Sequence, residues 1–330
     1  MRYRTIGSGD NAFEASALCL GTMLYGWRTD EETSFAILDR YVERGGTFLD
    51  TANNYGDWEW PEGGWKGAGR ISEAVLGRWL TARGPRARDQ VRIATKLGAA
   101  RKDSTRPLSY SNFEGLSQQV VATSARESLR LLGIDRIDLL YGHVDDRETP
   151  LAETVGAFGK LQAEGLVGVT GISNVSLWRV VEAREEAARQ GIDPYAVVQQ
   201  NFTYAYPTPK AERFNWASPE LLSYAASTGV PGRPALTVVG YSPLLQGAYT
   251  RSDKPLFGGY DHPTTHARVQ ALHDVGRELG ATPNQVVIAW ILAQDVVPLV
   301  GASTVAQLDE ALDAVDLDLG EEVLARLDAV

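Results

Sequence analysis

Ile137-Asp-Leu-Leu-Tyr-Gly-His143, then Thr149-Pro-Leu-Ala-Glu-Thr-Val155-Gly-Ala-Phe158-Gly-Lys-Leu161, then Val167-Gly-Val-Thr-Gly-Ile172, is the stretch on which the fold turns. The first and third segments are short, apolar and rich in residues that suit strands, and loop or helix punctuation bounds them. In the middle segment Leu151, Val155, Phe158 and Leu161 recur at helical spacing, with Thr149 placed as N-cap and Pro150 as first helical residue. The unit is strand, loop, helix, strand.

The same unit repeats in both directions. Towards the N-terminus, Val91-Arg-Ile-Ala-Thr-Lys96 reads as a strand, and a helix carrying Val121, Ala125, Leu129 and Leu132 follows it up to Gly133. Before it, residues 47–50 form a strand that leads through a long loop into a helix over about 72–82. Val75, Leu76, Trp79 and Leu80 are its apolar stripe and Gly84-Pro85 its stop. Residues 17–21 form the earliest strand of this kind. Its helix has Thr29 and Glu32 at capping-box spacing, Phe35, Leu38 and Val42 on one face, and Gly45-Gly46 at the end. Towards the C-terminus, a helix over about 176–189 and strands at 196–200, 236–240 and 297–300 complete a set of eight strands.

Eight strands alternating with helices over more than about 250 residues predict a closed (β/α)8 TIM barrel in one domain spanning residues 1–330. An open doubly wound sheet is the rival, but it calls for a G-x-G-x-x-G turn after its first strand. Gly21-Thr-Met-Leu-Tyr-Gly26 lacks that spacing, and Gly67-Ala-Gly69 follows a loop rather than a strand. Two additions stand outside the repeat. A hairpin of residues 2–6 and 13–15, turned by Gly7-Ser-Gly-Asp-Asn11, is expected to plug the barrel bottom, and extra helices at 266–279 and 283–292 precede the last strand.

Composition narrows the function classes. The formal charge of -10 argues against a nucleic-acid or anionic-membrane surface. No apolar run approaches the ~20 residues of a membrane span. Cys19 is the single cysteine, so an internal disulfide is excluded, and the start Met1-Arg-Tyr-Arg-Thr has no apolar signal core; both point to a cytoplasmic protein. His262, His266 and His273 have no metal-ligand spacing with carboxylates or Cys19, so no metal site is expected.

In a barrel of this type, working residues stand at the C-terminal ends of strands and in the loops beyond them. Asp50, Lys96 and His143 end three successive strands, and Tyr55 lies in the loop after the first of these. A phenol with a pKa near 10 is a poor acid by itself, and a neighbouring cation would make its proton available. Lys96 can be that cation, Asp50 the counter-ion of a desolvated Lys96, and His143 a hydrogen-bond partner for a carbonyl oxygen. Singly, each has a plainer reading as a rim residue, turn anchor or core polar group.

These residues resemble the aldo-keto reductase superfamily over nearly the whole chain. Gly21-Thr-Met23, Asp50-Thr-Ala-Asn-Asn-Tyr55-Gly56, Ser72-Glu73, Ala94-Thr-Lys96, Asp138-Leu-Leu-Tyr-Gly-His143, Gly171-Ile-Ser173-Asn174, Gln199-x-x-Phe202 and Tyr241-Ser242-Pro243-Leu244 stand in the family's order. The resemblance implies metal-independent carbonyl reduction by hydride transfer from NADPH, with a tetrad of Asp50, Tyr55, Lys96 and His143 and with Tyr55 as general acid or base. It implies that Gly21, Thr22 and Met23 are cofactor-binding residues and that Ser173, Asn174 and Gln199 hold the nicotinamide amide. Tyr241 would stack on the ring, and Ser242, Leu244, Gln246 and Gly247 would close over the pyrophosphate, with Lys254 as a helper. Gly301, Ser303, Gln307 and Glu310 would meet the adenosine end.

The chain departs from that pattern in places. Ser303 stands where the family commonly has an Arg that clasps the 2'-phosphate, and Ala311 replaces an Asn, so NADH becomes a second cofactor expectation. Gly142-His143-Val144-Asp145-Asp146 lacks the usual continuation after the His. A small-molecule carbonyl substrate is expected, and the aromatic residues Tyr25, Trp27, Trp58, Trp60 and Trp65, beside Met23, could wall a pocket for a sugar or ring compound or simply pin loops. Arg101, Lys102 and Arg106 could attract a phosphorylated substrate, although a solvated charged loop is the plainer reading. Three rival functions are a cofactor-binding regulatory subunit with little turnover, a Lys96 Schiff-base aldolase and, least well supported, a glycosidase.

Overall fold

The structure is a computed structural model, and residues 1–57, 69–106, 109–208 and 215–330 are described. A short antiparallel hairpin, β1 (Tyr3–Ile6) and β2 (Phe13–Ser16), precedes the barrel. The barrel strands are β3 (Cys19–Gly21), β4 (Phe48–Asp50), β5 (Arg92–Leu97), β6 (Ile137–Gly142), β7 (Val167–Ser173), β8 (Val197–Asn201), β9 (Thr237–Tyr241) and β10 (Val296–Gly301). They close in that order, with β10 pairing both β9 and β3, and every pair is parallel. The helices are α1 (Glu31–Glu43), α2 (Ile71–Arg83), α3 (Pro85–Gln90), α4 (Gln118–Leu132), α5 (Leu151–Ala163), α6 (Leu177–Gln190), α7 (Pro219–Ala226), α8 (Pro263–Leu279), α9 (Pro283–Ala293), α10 (Val305–Asp313) and α11 (Gly320–Asp328). This is the (β/α)8 barrel that the repeated unit predicts, with α8 and α9 as the two added helices.

Strand parity sorts the core. Side chains alternate faces along a strand, so residues two apart point the same way. Cys19, Phe48, Ala94, Leu139, Val169, Val197, Val239 and Val297 form one buried cluster together with Ile6 and Ala15 of the hairpin. Every barrel strand contributes to it, β6 through both Leu139 and Tyr141, so this cluster is the inner filling. The hairpin seals its N-terminal end: a Cβ at Gly7, whose φ is +83°, would lie 2.7 Å from Val169 Cγ2. The alternate strand residues meet the helices in two outer clusters, for example Leu49, Ile93 and Leu20 with Ile37, Leu38, Val75 and Trp79.

Several local expectations shift by a residue or so. Asp30, not Thr29, caps α1 by accepting the Thr33 amide at 2.8 Å, because a carboxylate competes better than a hydroxyl that is itself buried. The buried face of α1 is Ser34, Ile37, Leu38 and Tyr41, with Phe35 and Val42 at its margins. Tyr41 pins the helix to the barrel by donating to Leu18 O at 2.7 Å. Pro150 rather than Thr149 is the N-cap of α5, since the Thr149 hydroxyl is drawn to Asp146 Oδ2 at 2.7 Å. Gly84 ends α2 as expected, but Pro85 opens the one-turn helix α3 at once. Among the described residues no helix is long and apolar enough to cross a membrane.

Candidate active site

The parity that fills the barrel also builds its rim. Two residues beyond the inner apolar layer stand Gly21, Asp50, Lys96, Tyr141, Gly171, Gln199, Tyr241 and Leu299, and two further along their strands lie His143, Ser173 and Gly301. These positions therefore point inward at the C-terminal mouth, where parallel strands end and loops begin. Asp50, Lys96 and His143 are brought to one place by register, since Asp50 pairs Ala94 and Lys96 pairs Tyr141.

Lys96 is the hub. It is fully buried, and its ammonium donates to Asp50 Oδ1, to Thr51 O at 2.9 Å and to Tyr55 Oη at 2.8 Å. The other Asp50 oxygen accepts Gln199 Nε2 at 2.8 Å, so both carboxylate oxygens have partners. Tyr55 itself is 7% exposed, and the His143 ring meets it edge-on with centroids 6.2 Å apart.

Burial is the largest influence on each of these groups. It pushes the Asp50 carboxyl above its ordinary value against the pull of Lys96 and Gln199. For Lys96, burial acts to lower the pKa, but the charges of Asp50 and Tyr55 outweigh it and the ammonium is held above its ordinary value. Burial also raises the Tyr55 phenol, with Lys96 opposing it. The Lys96 ammonium thus acts on the phenol by limiting a rise that desolvation causes. His143 is held well below 6.5, first by burial and then by the Lys96 charge, so it is a neutral imidazole at neutral pH. Its Nδ1 is buried without a hydrogen-bond partner among the described residues.

A second network lies opposite. Asn174, in the left-handed region at φ +59°, donates through Nδ2 to His143 O at 2.9 Å and to Ser173 Oγ at 3.1 Å. Its Oδ1 accepts the Tyr241 hydroxyl at 2.9 Å, and Asn215 Nδ2 donates to that same hydroxyl oxygen at 2.7 Å. Tyr241 is therefore fixed by its hydroxyl, and its ring orientation is set. Ser242, at φ +55°, and Gln246, at φ +58°, are exposed left-handed positions in the following loop, with Gly247 beside them at φ +94° and Leu244 packed half-buried between the two outer clusters. Lys254 is exposed in the same loop.

At the adenosine end that the resemblance implies, Gly301 is exposed and a Cβ there would meet nothing within 4 Å. The Ser303 amide donates to Gln307 Oε1 at 2.9 Å, and Thr304 caps α10 through the Gln307 amide at 3.2 Å. Glu310 accepts the Thr282 hydroxyl at 2.6 Å. The open backbone at Gly301, the capped N-terminus of α10 and the oriented Tyr241 ring fit an extended dinucleotide laid from barrel mouth to strand end.

The remaining expected positions differ in where they stand. Gly21 and Thr22 are buried at the mouth, where the Thr22 hydroxyl donates to Asp50 O at 2.9 Å, and Met23 is 36% exposed. Tyr25 is not a pocket wall: it is 1% exposed and packs in the outer cluster with Ile37, Leu38 and Val75. Its place on a turn closed by Gly26 and Thr29 folds the ring back under α1 and α2 rather than over the mouth. Trp27 is half-buried with the Arg28 guanidinium 5.1 Å from its ring centroid. Trp58, Trp60 and Trp65 lie outside the described residues. Arg101 is neither solvated nor a free anion site, because it is buried against Asp57. Among the described residues no group of three or more His, Cys, Asp or Glu side chains could hold a metal ion.

Sequence reasoning passed over several supports. Gln200 Oε1 accepts the Asn174 amide at 2.8 Å, and its Nε2 donates to Val175 O at 2.5 Å, which clamps the turn after β7. Glu114 accepts Asn53 Nδ2 at 2.7 Å and the Gly98 amide at 2.8 Å, tying the loops after β4 and β5 together. Their polar types at strand-end and loop positions were the only signal, and it does not name a partner.

Comparison with known proteins gives a consistent result. The model of the Aldo/keto reductase family matches residues 17–330. The uncharacterized oxidoreductase YrpG of Bacillus subtilis is 32% identical, over 100% of this chain and 96% of that protein. Norsolorinic acid reductase stcV of Emericella nidulans is 30% identical, over 99% of this chain and 81% of that protein. The crystal structure of the thermostable aldo-keto reductase Tm1743 with the inhibitor epalrestat shares the fold, with a TM-score of 0.74, 24% identity and coverage of 100% and 99% of the two chains.

Proposed function

The chain belongs to the aldo-keto reductase family and is an oxidoreductase, and from that premise we propose that it reduces the carbonyl group of an aldehyde or ketone, reversibly oxidising the alcohol. The observation that carries this reading is the hydrogen bond from Lys96 Nζ to Tyr55 Oη, 2.8 Å long and buried beside Asp50. The phenol oxygen accepts from the ammonium, so the hydroxyl proton is the one that Tyr55 would give to a substrate. As that proton passes to a carbonyl oxygen, the phenolate left behind is stabilised by the ammonium already in place, in a site that excludes water. Asp50 keeps Lys96 charged, and Gln199 keeps Asp50 oriented. The neutral His143 imidazole can donate to the carbonyl oxygen without adding a charge that would compete for the proton.

A reduced nicotinamide would supply the hydride, held by Ser173, Gln199 and Tyr241 at the mouth. NADPH is the dinucleotide the family resemblance implies. NADH is a second reading, favoured by Ser303 and by an α10 that carries no Lys or Arg but does carry Asp309 and Glu310. Trp27 at the rim suits a ring compound, and the kinship with a reductase of norsolorinic acid supports the same class. The aldolase reading loses force, since a Schiff-base nucleophile needs a neutral amine and Lys96 is held protonated by three acceptors.

Turnover of an aromatic aldehyde, followed by loss of the nicotinamide absorbance with NADPH and with NADH, tests the proposal. Wild-type protein is expected to turn over and Tyr55→Phe to retain only a residual rate, at least about 100-fold lower, with dinucleotide affinity retained. Equal rates for the two proteins would remove Tyr55 from the reaction.

A further inference from the structure

The ion pair between Asp57 and Arg101 is buried at the mouth, close in sequence to two of the four proton-transfer residues. Arg101 Nε and Nη2 both reach Asp57 Oδ1, at 2.9 and 2.5 Å, and the two side chains are 9% and 6% exposed. The remaining terminal nitrogen, Nη1, donates to Ser104 O at 3.1 Å and Arg106 O at 3.2 Å. The backbone of Arg101 is in turn bridged to Phe113. Four donor contacts of one guanidinium are thus spent inside the protein, on a loop that composition alone would leave in solvent.

What the pair joins is informative. Asp57 lies two residues after Tyr55, at the end of a turn in which the Asp57 amide donates to Asn54 O at 3.0 Å and the Tyr55 amide to Ala52 O at 3.2 Å. Arg101 lies five residues after Lys96, in the loop that leaves β5. The start of the Tyr55 segment is already fixed, since the Asn53 amide donates to Lys96 O at 2.9 Å and the Asn53 side chain is held by Glu114. Past Asn53 the turn is held through the backbone by the Ile71 amide on Tyr55 O at 3.2 Å, and the Asp57–Arg101 pair adds a buried side-chain tie just beyond the phenol.

We propose that the Asp57–Arg101 pair is a positioning device, which closes the turn on its far side and keeps Tyr55 Oη in register with Lys96 Nζ. The inference rests on the reading of Tyr55 as the proton donor. Arg101 is the better choice than Lys for the task because its planar fork fixes direction as well as distance. The step it supports is demanding: a misplacement of about 1 Å at a reacting group can cost about 100-fold in rate.

The test uses the full-length chain as Arg101→Gln, Arg101→Lys, Tyr55→Phe and the Tyr55→Phe/Arg101→Gln double variant. Amide hydrogen exchange over residues 51–57 is measured without dinucleotide, and steady-state kinetics with 4-nitrobenzaldehyde and NADPH. Arg101→Gln is expected to speed exchange in that segment and to lower kcat about 10- to 100-fold, with the NADPH Kd changed by less than about twofold. Arg101→Lys should recover part of both losses, and it carries the test alone if the Gln variant does not fold. In the Tyr55→Phe background, Arg101→Gln should cause no further loss. Unchanged exchange overturns the proposal whatever the kinetics, and so does a kcat loss that persists in full without the phenol. A wild-type chain that reduces no carbonyl refutes the function instead, and the exchange measurement still decides the positioning claim.

Discussion

Replacing Lys96 by Met isolates the energetics of the buried site. Among the described residues the ammonium makes three hydrogen bonds, and its loss leaves Asp50, fully buried, with Gln199 as its one side-chain donor. Removing one member of a buried pair typically costs about 3–5 kcal/mol. The pH dependence follows from how Asp50 can escape. With Lys96 gone, burial is opposed only by Gln199, so the folded-state pKa of Asp50, already raised, climbs further above its unfolded value. The folded protein then binds the proton more tightly than the unfolded chain, and stability falls as pH rises. Protonating an ordinary carboxyl costs about 1.36 kcal/mol per pH unit above about 3.9, which caps the penalty near 4 kcal/mol at pH 7 and near 1.5 kcal/mol at pH 5. Urea unfolding followed by tryptophan fluorescence at pH 5, 6 and 7.5 measures this. The expected result is a destabilisation that shrinks towards acid, with the double variant Asp50→Asn/Lys96→Met less destabilised at pH 7.5 than Lys96→Met. A penalty that is the same at pH 5 and pH 7.5 would refute the reasoning, because it would mean that Asp50 is not the group left uncompensated.

Other outcomes are expected from the same geometry. Tyr55→Phe should lower kcat by at least about 100- to 10,000-fold, the usual worth of a positioned acid, with dinucleotide affinity retained by fluorescence titration. His143 is held neutral, so kcat/KM should show no limb near pH 6.5, and a pH profile with a step there would contradict its assignment. Because its folded pKa lies below the unfolded value, His143 should also make stability fall as pH drops through about 6.5, and His143→Gln should weaken that dependence in urea titrations. Ser303→Arg should raise the ratio of NADPH to NADH affinity by about 10-fold or more, since a guanidinium–phosphate contact is worth about 1.5–3 kcal/mol; an unchanged ratio would place the 2'-phosphate elsewhere.

The alternation of apolar runs with helical stripes was enough to read eight strands in order, since each barrel strand is buried on both faces and each helix on one. Asp50, Lys96 and His143 were legible as strand-end residues for the same reason: polarity at the last inward position of an apolar strand is costly unless it is used or paired. Local signals gave less where competitors were close in sequence, as at Thr29 against Asp30 and Thr149 against Asp146.

Sequence alone therefore determined the barrel, the inward parity of the site residues and the strands that deliver them, because periodicity is a property of the local chain. Tertiary structure alone decided which polar groups meet. Gln199 turned to Asp50, Asn174 to Tyr241 and His143, Arg101 to Asp57, and Tyr25 into the core, through contacts between residues up to 149 positions apart. It also decided the balance on the Tyr55 phenol, where desolvation exceeds the pull of Lys96. Burial depth and hydrogen-bond direction come from the closing of the barrel in three dimensions, and no linear pattern encodes them.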